Sequence, residues 1–238
     1  MRSEIPASYE AHPLKDSFYI RCGKRWFDAV ASLIGLLVLL PLFPLIAIAV
    51  CLDSSGSAFF LQNRVGRLGK TFRIIKFRTM RSAAENAGAL ITAHGDSRIT
   101  RVGKWLRKAK MDELPQLLNV LRGDMSLVGP RPEVAKYTEL YTFEQRHVFA
   151  MRPGITGPAA IAYADEEEVL SRQDDRERYY VDVLLPAKLA IDLYYCRNIS
   201  FREDVALILW TFGRLFGQRL IVAEYRRSSP PGGIQESS

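Results

Sequence analysis

Hydrophobic and polar positions divide the chain into one long apolar run, two short alternating stretches and a series of amphipathic segments. Residues 29–52 carry no charge over about 24 positions, which is transmembrane length. Pro41 and Pro44 interrupt the middle of this run, and a proline there removes a helix hydrogen bond and kinks the axis. Phe59-Phe60-Leu61-Gln62 and Phe72-Arg73-Ile74-Ile75-Lys76-Phe77 read as short strands. The turn Gly66-Arg67-Leu68-Gly69 between them predicts a hairpin. Residues 83–100 read as a loop or broken helix, 102–110 as a basic helix, and 114–121 as an apolar helix stopped at Gly123. Beyond these, 133–147 is helical, 152–158 a rigid loop, 166–178 a charged surface helix and 184–195 a helix. In residues 201–219, Val205, Leu209, Phe212 and Phe216 share one face, which suits an interfacial helix and a core-packing helix equally. The expected class is α+β, mainly helical: an N-terminal membrane helix, a small β-hairpin and a helical domain with interfacial amphipathic helices. The expected divisions are a partly disordered N-terminal segment (1–23), a membrane helix-break-helix (24–53), the main domain (54–220) and a Pro/Gly/Ser-rich tail (221–238), disordered at its end.

Charge decides how the apolar run is oriented. Arg21, Lys24 and Arg25 precede it, and Arg64, Arg67, Lys70, Arg73, Lys76, Arg78 and Arg81 follow it. Basic flanks favour the cytoplasmic side, so a chain with both flanks there must enter and return, bent at Pro41. A kinked full span and a buried core helix are the other two readings. Asp28 at the boundary could pair with Lys24 or Arg25. The run starts too late and is too long for a cleaved signal peptide.

Composition adds less. A hydrophobic content of 48% and a charged content of 25% are ordinary for a folded protein. The net charge of +7 suits nucleic acid, an anionic membrane surface or anionic substrates. Without a helix-turn-helix, RNP or zinc-finger signature, nucleic acid is not an expected partner. Cys22, Cys51 and Cys196 are scattered, as are His12, His94 and His147. A zinc site, a disulfide framework and a Ser/His/Asp triad are therefore poor readings, and a hard cation held by carboxylates and phosphate is the better one.

The chemistry concentrates in Lys110-Met111-Asp112-Glu113-Leu114-Pro115 and Gly129-Pro130-Arg131-Pro132-Glu133. An acidic pair at a helix mouth followed by a proline-locked Arg suits work on a phosphate ester with a metal. A metal between carboxylate and phosphate relieves the repulsion of two anions, and a helix start favours negative charge. Each residue also has a plainer reading. Asp112 would cap a helix, Arg131 would sit on a rigid turn, and Lys76, opposite its apolar strand neighbours, would lie on a solvated face.

Lys24-Arg25-Trp26-Phe27-Asp28, Gln62-Asn63-Arg64-Val65-Gly66, Lys76-Phe77-Arg78-Thr79-Met80 and Met111-Asp112-Glu113-Leu114-Pro115-Gln116 occur in order. Asn119-Val120-Leu121-Arg122-Gly123-Asp124-Met125-Ser126, Val128-Gly129-Pro130-Arg131-Pro132 and Arg152-Pro153-Gly154-Ile155-Thr156-Gly157 follow. The set resembles the bacterial sugar transferases, the monotopic phosphoglycosyl transferases, over residues 24–210, in their minimal form without extra N-terminal membrane helices. The resemblance implies transfer of sugar 1-phosphate from a UDP-sugar to polyprenol phosphate (undecaprenyl phosphate). The products would be polyprenol-diphosphate-sugar and UMP, in the first membrane step of surface glycan assembly. It further implies Mg2+, a covalent phosphosugar-aspartate intermediate on Asp112, and Glu113 as its partner, both on the metal. Lys76, Arg107, Arg131 and Asp192 would bind substrate or phosphate, and Pro41 would kink a re-entrant membrane helix. Residues 54–220 would be the transferase domain, at the cytoplasmic face of a bacterial inner membrane, with downstream glycosyltransferases as further partners. A catalytically inactive membrane-tethered scaffold of the same fold is the alternative. Two departures stand out: Leu40 replaces the Ser common before the membrane-helix proline, and the charged stretch 162–183 is a place for donor-specific contacts.

Overall fold

The computed structural model describes residues 18–81 and 95–215. The expected disorder before residue 18 and after 220, and most of the expected loop at 83–100, lie outside the described residues, as do Phe216 and Arg219. A π-helical turn, Tyr19–Gly23, runs into α1 (Lys24–Leu39), and α2 (Leu42–Asp53) follows after a break at Leu40 and Pro41. The two helical arms are bent by 64°. Pro44 adds no second break, because it falls in the first turn of α2, where amide N–H groups lack intrahelical acceptors. No single helix among the described residues is long and apolar enough to cross a membrane, and this bent pair is the one apolar candidate. Trp26, Leu33, Ile34, Leu37, Val38, Leu40, Leu45 and Leu52 stand exposed on it. Among the described residues this is the longest stretch of uncovered apolar side chains, a pattern that marks an interaction surface.

Polar side chains tie this bent pair to the rest of the chain. Lys24 reaches Asp204 at 2.5 Å, and Tyr19 and Tyr195 donate hydroxyl hydrogen bonds to the same carboxylate at 2.5 Å each. Arg25 donates to the Val120 and Leu121 carbonyls at 2.6 and 2.8 Å. Asp28 does not make the interfacial ion pair suggested by its neighbours. It is buried, and accepts from Ser126 Oγ at 2.8 Å and the Leu127 amide at 3.1 Å.

The expected hairpin forms from β1 (Phe59–Val65) and β2 (Thr71–Phe77), paired antiparallel with Phe60 opposite Lys76 and Val65 opposite Thr71. The basic helix α3 (Arg101–Lys108) begins at Thr100, whose hydroxyl accepts from the Gly103 amide, while Asp53 accepts from the Val102 amide. A 3₁₀ turn, Met111–Glu113, leads into α4 (Gln116–Arg122), which ends at Gly123 with φ 91°. The loop expected at 152–158 contains a strand. Here β3 (Ser126–Val128) pairs in parallel with β4 (Gly154–Thr156), at a crossing where a Cβ on Gly129 would lie 2.5 Å from the Arg152 carbonyl oxygen.

The helix expected over 133–147 is broken. Only α5 (Ala135–Thr138) and a 3₁₀ stretch, Gln145–Ala150, are helical. Thr142 and Gln145 exchange side-chain-to-amide hydrogen bonds, a capping box that restarts the chain instead of continuing it. The charged stretch likewise divides, after α6 (Pro158–Ala162), into α7 (Glu166–Ser171) and α8 (Arg176–Tyr179). The long helix α9 (Leu185–Asn198) and α10 (Phe201–Leu215) complete the fold. The main core gathers Val65, Tyr141, Phe149, Leu184, Leu189 and Leu193, while Val128, Ile161, Tyr195 and Leu207 form a second cluster under α10. On α10 Leu207 packs inward while Leu209 and Phe212 stay exposed, so the helix packs on the core and leaves apolar side chains on its outer face.

Candidate active site

The site begins with a tight turn. Lys110 adopts φ 55°, a left-handed conformation costly for a residue with a side chain, and it reverses the chain between α3 and the 3₁₀ turn. Asp112 and Glu113 follow at the mouth of α4. Glu113 Oε1 lies 2.6 Å from Lys76 Nζ on β2 and 3.4 Å from Arg131 Nη2. Lys76 is therefore not a solvated strand residue. Asn119, fully buried on α4, donates to the Arg73 carbonyl and accepts from the Ile75 amide, which fixes β2, and with it Lys76, against the acidic pair.

Burial and charge push the two carboxyls apart. Burial and the neighbouring Glu113 raise Asp112 above its ordinary range, against the pull of Lys76, Arg107 and Lys110. Burial acts on Glu113 in the same sense, but Lys76, Arg131 and Lys110 outweigh it and hold Glu113 well below the usual carboxylate range. Glu113 in turn holds Arg131 firmly charged. The arrangement is an ionised Glu113 locked between two cations beside an Asp112 with spare capacity. Asp112 Oδ1 is buried without a hydrogen-bond partner.

Arg107, on α3, lies close enough to Asp112 for its charge to act on that carboxyl. Its Nη1 is also buried without a partner, and its Nη2 lies 3.6 Å from Glu167 Oε1. Asp192, on α9, is placed differently. It is buried behind the Arg131 loop and accepts backbone N–H bonds from Ala159 and Arg131, and burial pushes its carboxyl up to about 7. The structure thus brings Lys76, Asp112, Glu113, Arg107 and Arg131 together, with Asp192 holding Arg131 from behind. Pro41 lies at the bend, and the next residues, Leu42 and Phe43, pack in one cluster with Met111.

A narrow cleft opens beside the acidic pair, lined by Arg64, Lys76, Glu113, Gln116, Arg131 and Pro132. Gln116 and Arg64 were not singled out from sequence. Gln116 lies four positions after Asp112, helical spacing that places the two on one side, and its Nε2 is buried without a partner. Arg64 carried no comparable local signal. It donates to the Pro132 carbonyl and reaches Glu133, whose other oxygen accepts from Tyr180. No group of three or more His, Cys, Asp or Glu among the described residues is arranged to hold a metal by protein ligands alone.

Comparison with known proteins places this geometry in context. Over 204 residues, 82% of this chain and 45% of the other protein, it is 39% identical to a UDP-N-acetylgalactosamine-undecaprenyl-phosphate N-acetylgalactosaminephosphotransferase of Aeromonas hydrophila. It is 38% identical to an undecaprenyl-phosphate glucose phosphotransferase of Komagataeibacter xylinus, over 80% of this chain and 35% of that protein. It is 41% identical to the exopolysaccharide production protein PSS of Rhizobium leguminosarum bv. phaseoli, over 79% of this chain and 92% of that one. The chain thus spans less than half the length of the first two relatives. The bacterial sugar transferase family matches it over residues 19–218, taking in the bent helix pair, the acidic turn and the Arg131 loop, and the chain belongs to that family.

Proposed function

We propose that the chain is a phosphoglycosyl transferase that moves sugar 1-phosphate from a UDP-sugar to a polyprenol phosphate such as undecaprenyl phosphate, leaving UMP. The observation that carries this reading is the buried Asp112 oxygen without a partner, set among Lys76, Arg107 and Arg131 in a chain of this family. An Asp112 oxygen attacks the β-phosphorus of the donor. The bond from that phosphorus to the bridging oxygen breaks, and the oxygen leaves with UMP. A phosphate oxygen of the polyprenol phosphate then attacks the same phosphorus, forms the diphosphate link and frees Asp112. Arg107 and Arg131 offset charge gathering on the phosphoryl oxygens. Glu113, kept ionised by Lys76 and Arg131, orients those cations and cannot compete as a proton donor.

A magnesium ion fits this site as a shared one. Such ions are held by one or two carboxylates together with substrate phosphates, and Asp112 offers the open oxygen while Glu113 is engaged by Lys76. When bound it would neutralise phosphate charge and ease the approach of two anions.

The apolar bent pair supports a re-entrant seat in the cytoplasmic face of a bacterial inner membrane, with α10 lying at the interface. That seat keeps the site near the plane that a polyprenol phosphate cannot leave. The relatives' names carry different sugars, so the donor is left to experiment. Incubating the protein in nanodiscs with UDP-sugars, magnesium and undecaprenyl phosphate should release UMP from one sugar in a lipid-dependent way, and Asp112→Asn should abolish it. A quenched reaction without lipid should carry sugar phosphate on Asp112. Unimpaired turnover by Asp112→Asn would refute the covalent route, and absent turnover across all UDP-sugars would favour an inactive scaffold.

A further inference from the structure

We propose that Glu167 sets the affinity of this site for its anionic donor by occupying the Arg107 guanidinium until the donor's diphosphate displaces it. The inference rests on the transferase reading above. Three consecutive acids open α7, and each meets a different cation. Glu166 Oε2 lies 2.9 Å from the buried Lys188, and Glu168 Oε1 lies 2.7 Å from Arg172 on the surface. Glu167 meets Arg107 across 3.6 Å, too far for a hydrogen bond, and is half exposed. Of the three ion pairs only this one is made to the cation whose charge acts on Asp112.

Arg107 is otherwise prepared for a different ligand. Its Nη1 is buried with no acceptor, and its charge acts on Asp112. A guanidinium left with an unsatisfied buried N–H has capacity for a bidentate anion, and a phosphate satisfies it better than a carboxylate held beyond bonding distance. The acidic start of α7 also reaches Arg131, whose charge Glu166 helps to hold. A site for a diphosphate therefore carries a carboxylate on one of its phosphate-binding cations. Two anions cannot share that cation cheaply, so the donor must push Glu167 aside. Glu167 is exposed enough to swing into water, whereas Glu166 is fastened to Lys188. Glu167 thus acts on the donor through Arg107. It weakens donor binding and, by the same charge conflict, disfavours weakly bound anions in an empty site.

The test compares Glu167→Gln with Glu168→Gln in the full chain in nanodiscs. Both remove one negative charge from neighbouring positions, but only the first touches Arg107. Glu167→Gln should lower KM for the UDP-sugar roughly twofold to fivefold, the range expected for a partly exposed ion pair, with kcat nearly unchanged. Glu168→Gln should leave KM alone, and added salt should shrink the difference between Glu167→Gln and the unaltered protein. An unchanged or raised KM in Glu167→Gln would overturn the inference, as would an equal effect of Glu168→Gln. Calorimetry with inorganic pyrophosphate and magnesium gives a second reading that needs no turnover, and Glu167→Gln should bind it more tightly by a similar factor. Failure of the unaltered protein to turn over any donor would count against the transferase reading alone. Equal pyrophosphate affinity in both proteins would count against the role of Glu167.

Discussion

Asp204→Asn should destabilise the fold through a cluster that includes neither residue of the acidic pair. Asp204 is fully buried, and its two oxygens gather the Lys24 ammonium and the hydroxyls of Tyr19 and Tyr195, each at 2.5 Å. Asn keeps the shape and one accepting oxygen but removes the charge and points an NH2 group at a donor. Lys24, itself buried, loses its direct partner and keeps only the charge of the nearby Asp28. Breaking such a pair from one side costs about 3–5 kcal/mol. For a domain of this size each kcal/mol moves Tm by about 2–4 °C, so the midpoint should fall by roughly 6–20 °C. The assay is thermal unfolding in nanodiscs, followed by tryptophan fluorescence at one scan rate. Lys24→Met alone should also destabilise. The double variant should cost less than the two singles together by about 2–3 kcal/mol, because the second change removes a charge that has already lost its direct partner. A shift under about 2 °C for Asp204→Asn, or strictly additive costs, would refute the claim that this cluster clasps the N-terminal turn to α10.

Three further outcomes follow from the site and its supports. Lys76→Met should lower kcat about 10²–10³-fold in the UMP assay. Glu113 has a depressed folded pKa, so its stabilising contribution is present above the ordinary carboxylate pKa and is lost as pH falls through the folded one. Without Lys76 that loss should begin at higher pH, and an unchanged acid limb in a stability–pH curve would count against the pairing. Asp192 behaves in the opposite sense, since its carboxyl is raised to about 7. Between roughly pH 4 and 7 the folded chain holds a proton that the unfolded chain has shed, so stability falls as pH rises, by up to about 4 kcal/mol, and Asp192→Asn should flatten that slope of Tm against pH. Gly129→Ala would drive a Cβ to 2.5 Å from the Arg152 carbonyl oxygen and 3.0 Å from the Gly154 amide, so membrane-fraction yield and turnover should both collapse, and normal values would show that the crossing can open.

Much of this arrangement was legible because its signals are local. The acidic pair, the proline-flanked Arg131 and the alternation around Lys76 each lie within a few residues, and the hairpin and Gly123 stop follow from turn chemistry. Other features depend on partners distant in sequence. Residues 154–156 form a strand only because β3 lies beside them, and three residues among Pro and Gly carry no periodicity. The break inside 133–147 turns on a reciprocal bond between Thr142 and Gln145 within an otherwise helical pattern. Asp28 shows the same limit, since adjacent basic residues suggested an ion pair while Ser126, 98 positions away, supplies the bond. Asn119 gave no hint that it would brace β2, because its two backbone partners lie 44 and 46 residues earlier.

The parallel crossing of β3 and β4 has a consequence for when the protein becomes competent. A chain emerging from the ribosome can bring Lys76 to Glu113 once Asn119 on α4 is there to brace β2, since all three precede β3. Arg131 is another matter. Its loop is fastened by the Gly129 amide donating to the Thr156 carbonyl, by the Gly154 amide donating to the Pro130 carbonyl, and by Asp192 accepting from the Arg131 amide. Until translation has passed α9 the nascent chain holds Asp112 and Glu113 without a fastened Arg131 beside them. On the proposed reaction, stalled or truncated products would be silent toward nucleotide sugar, and donor hydrolysis by unfinished chains would be avoided by the order in which the backbone closes.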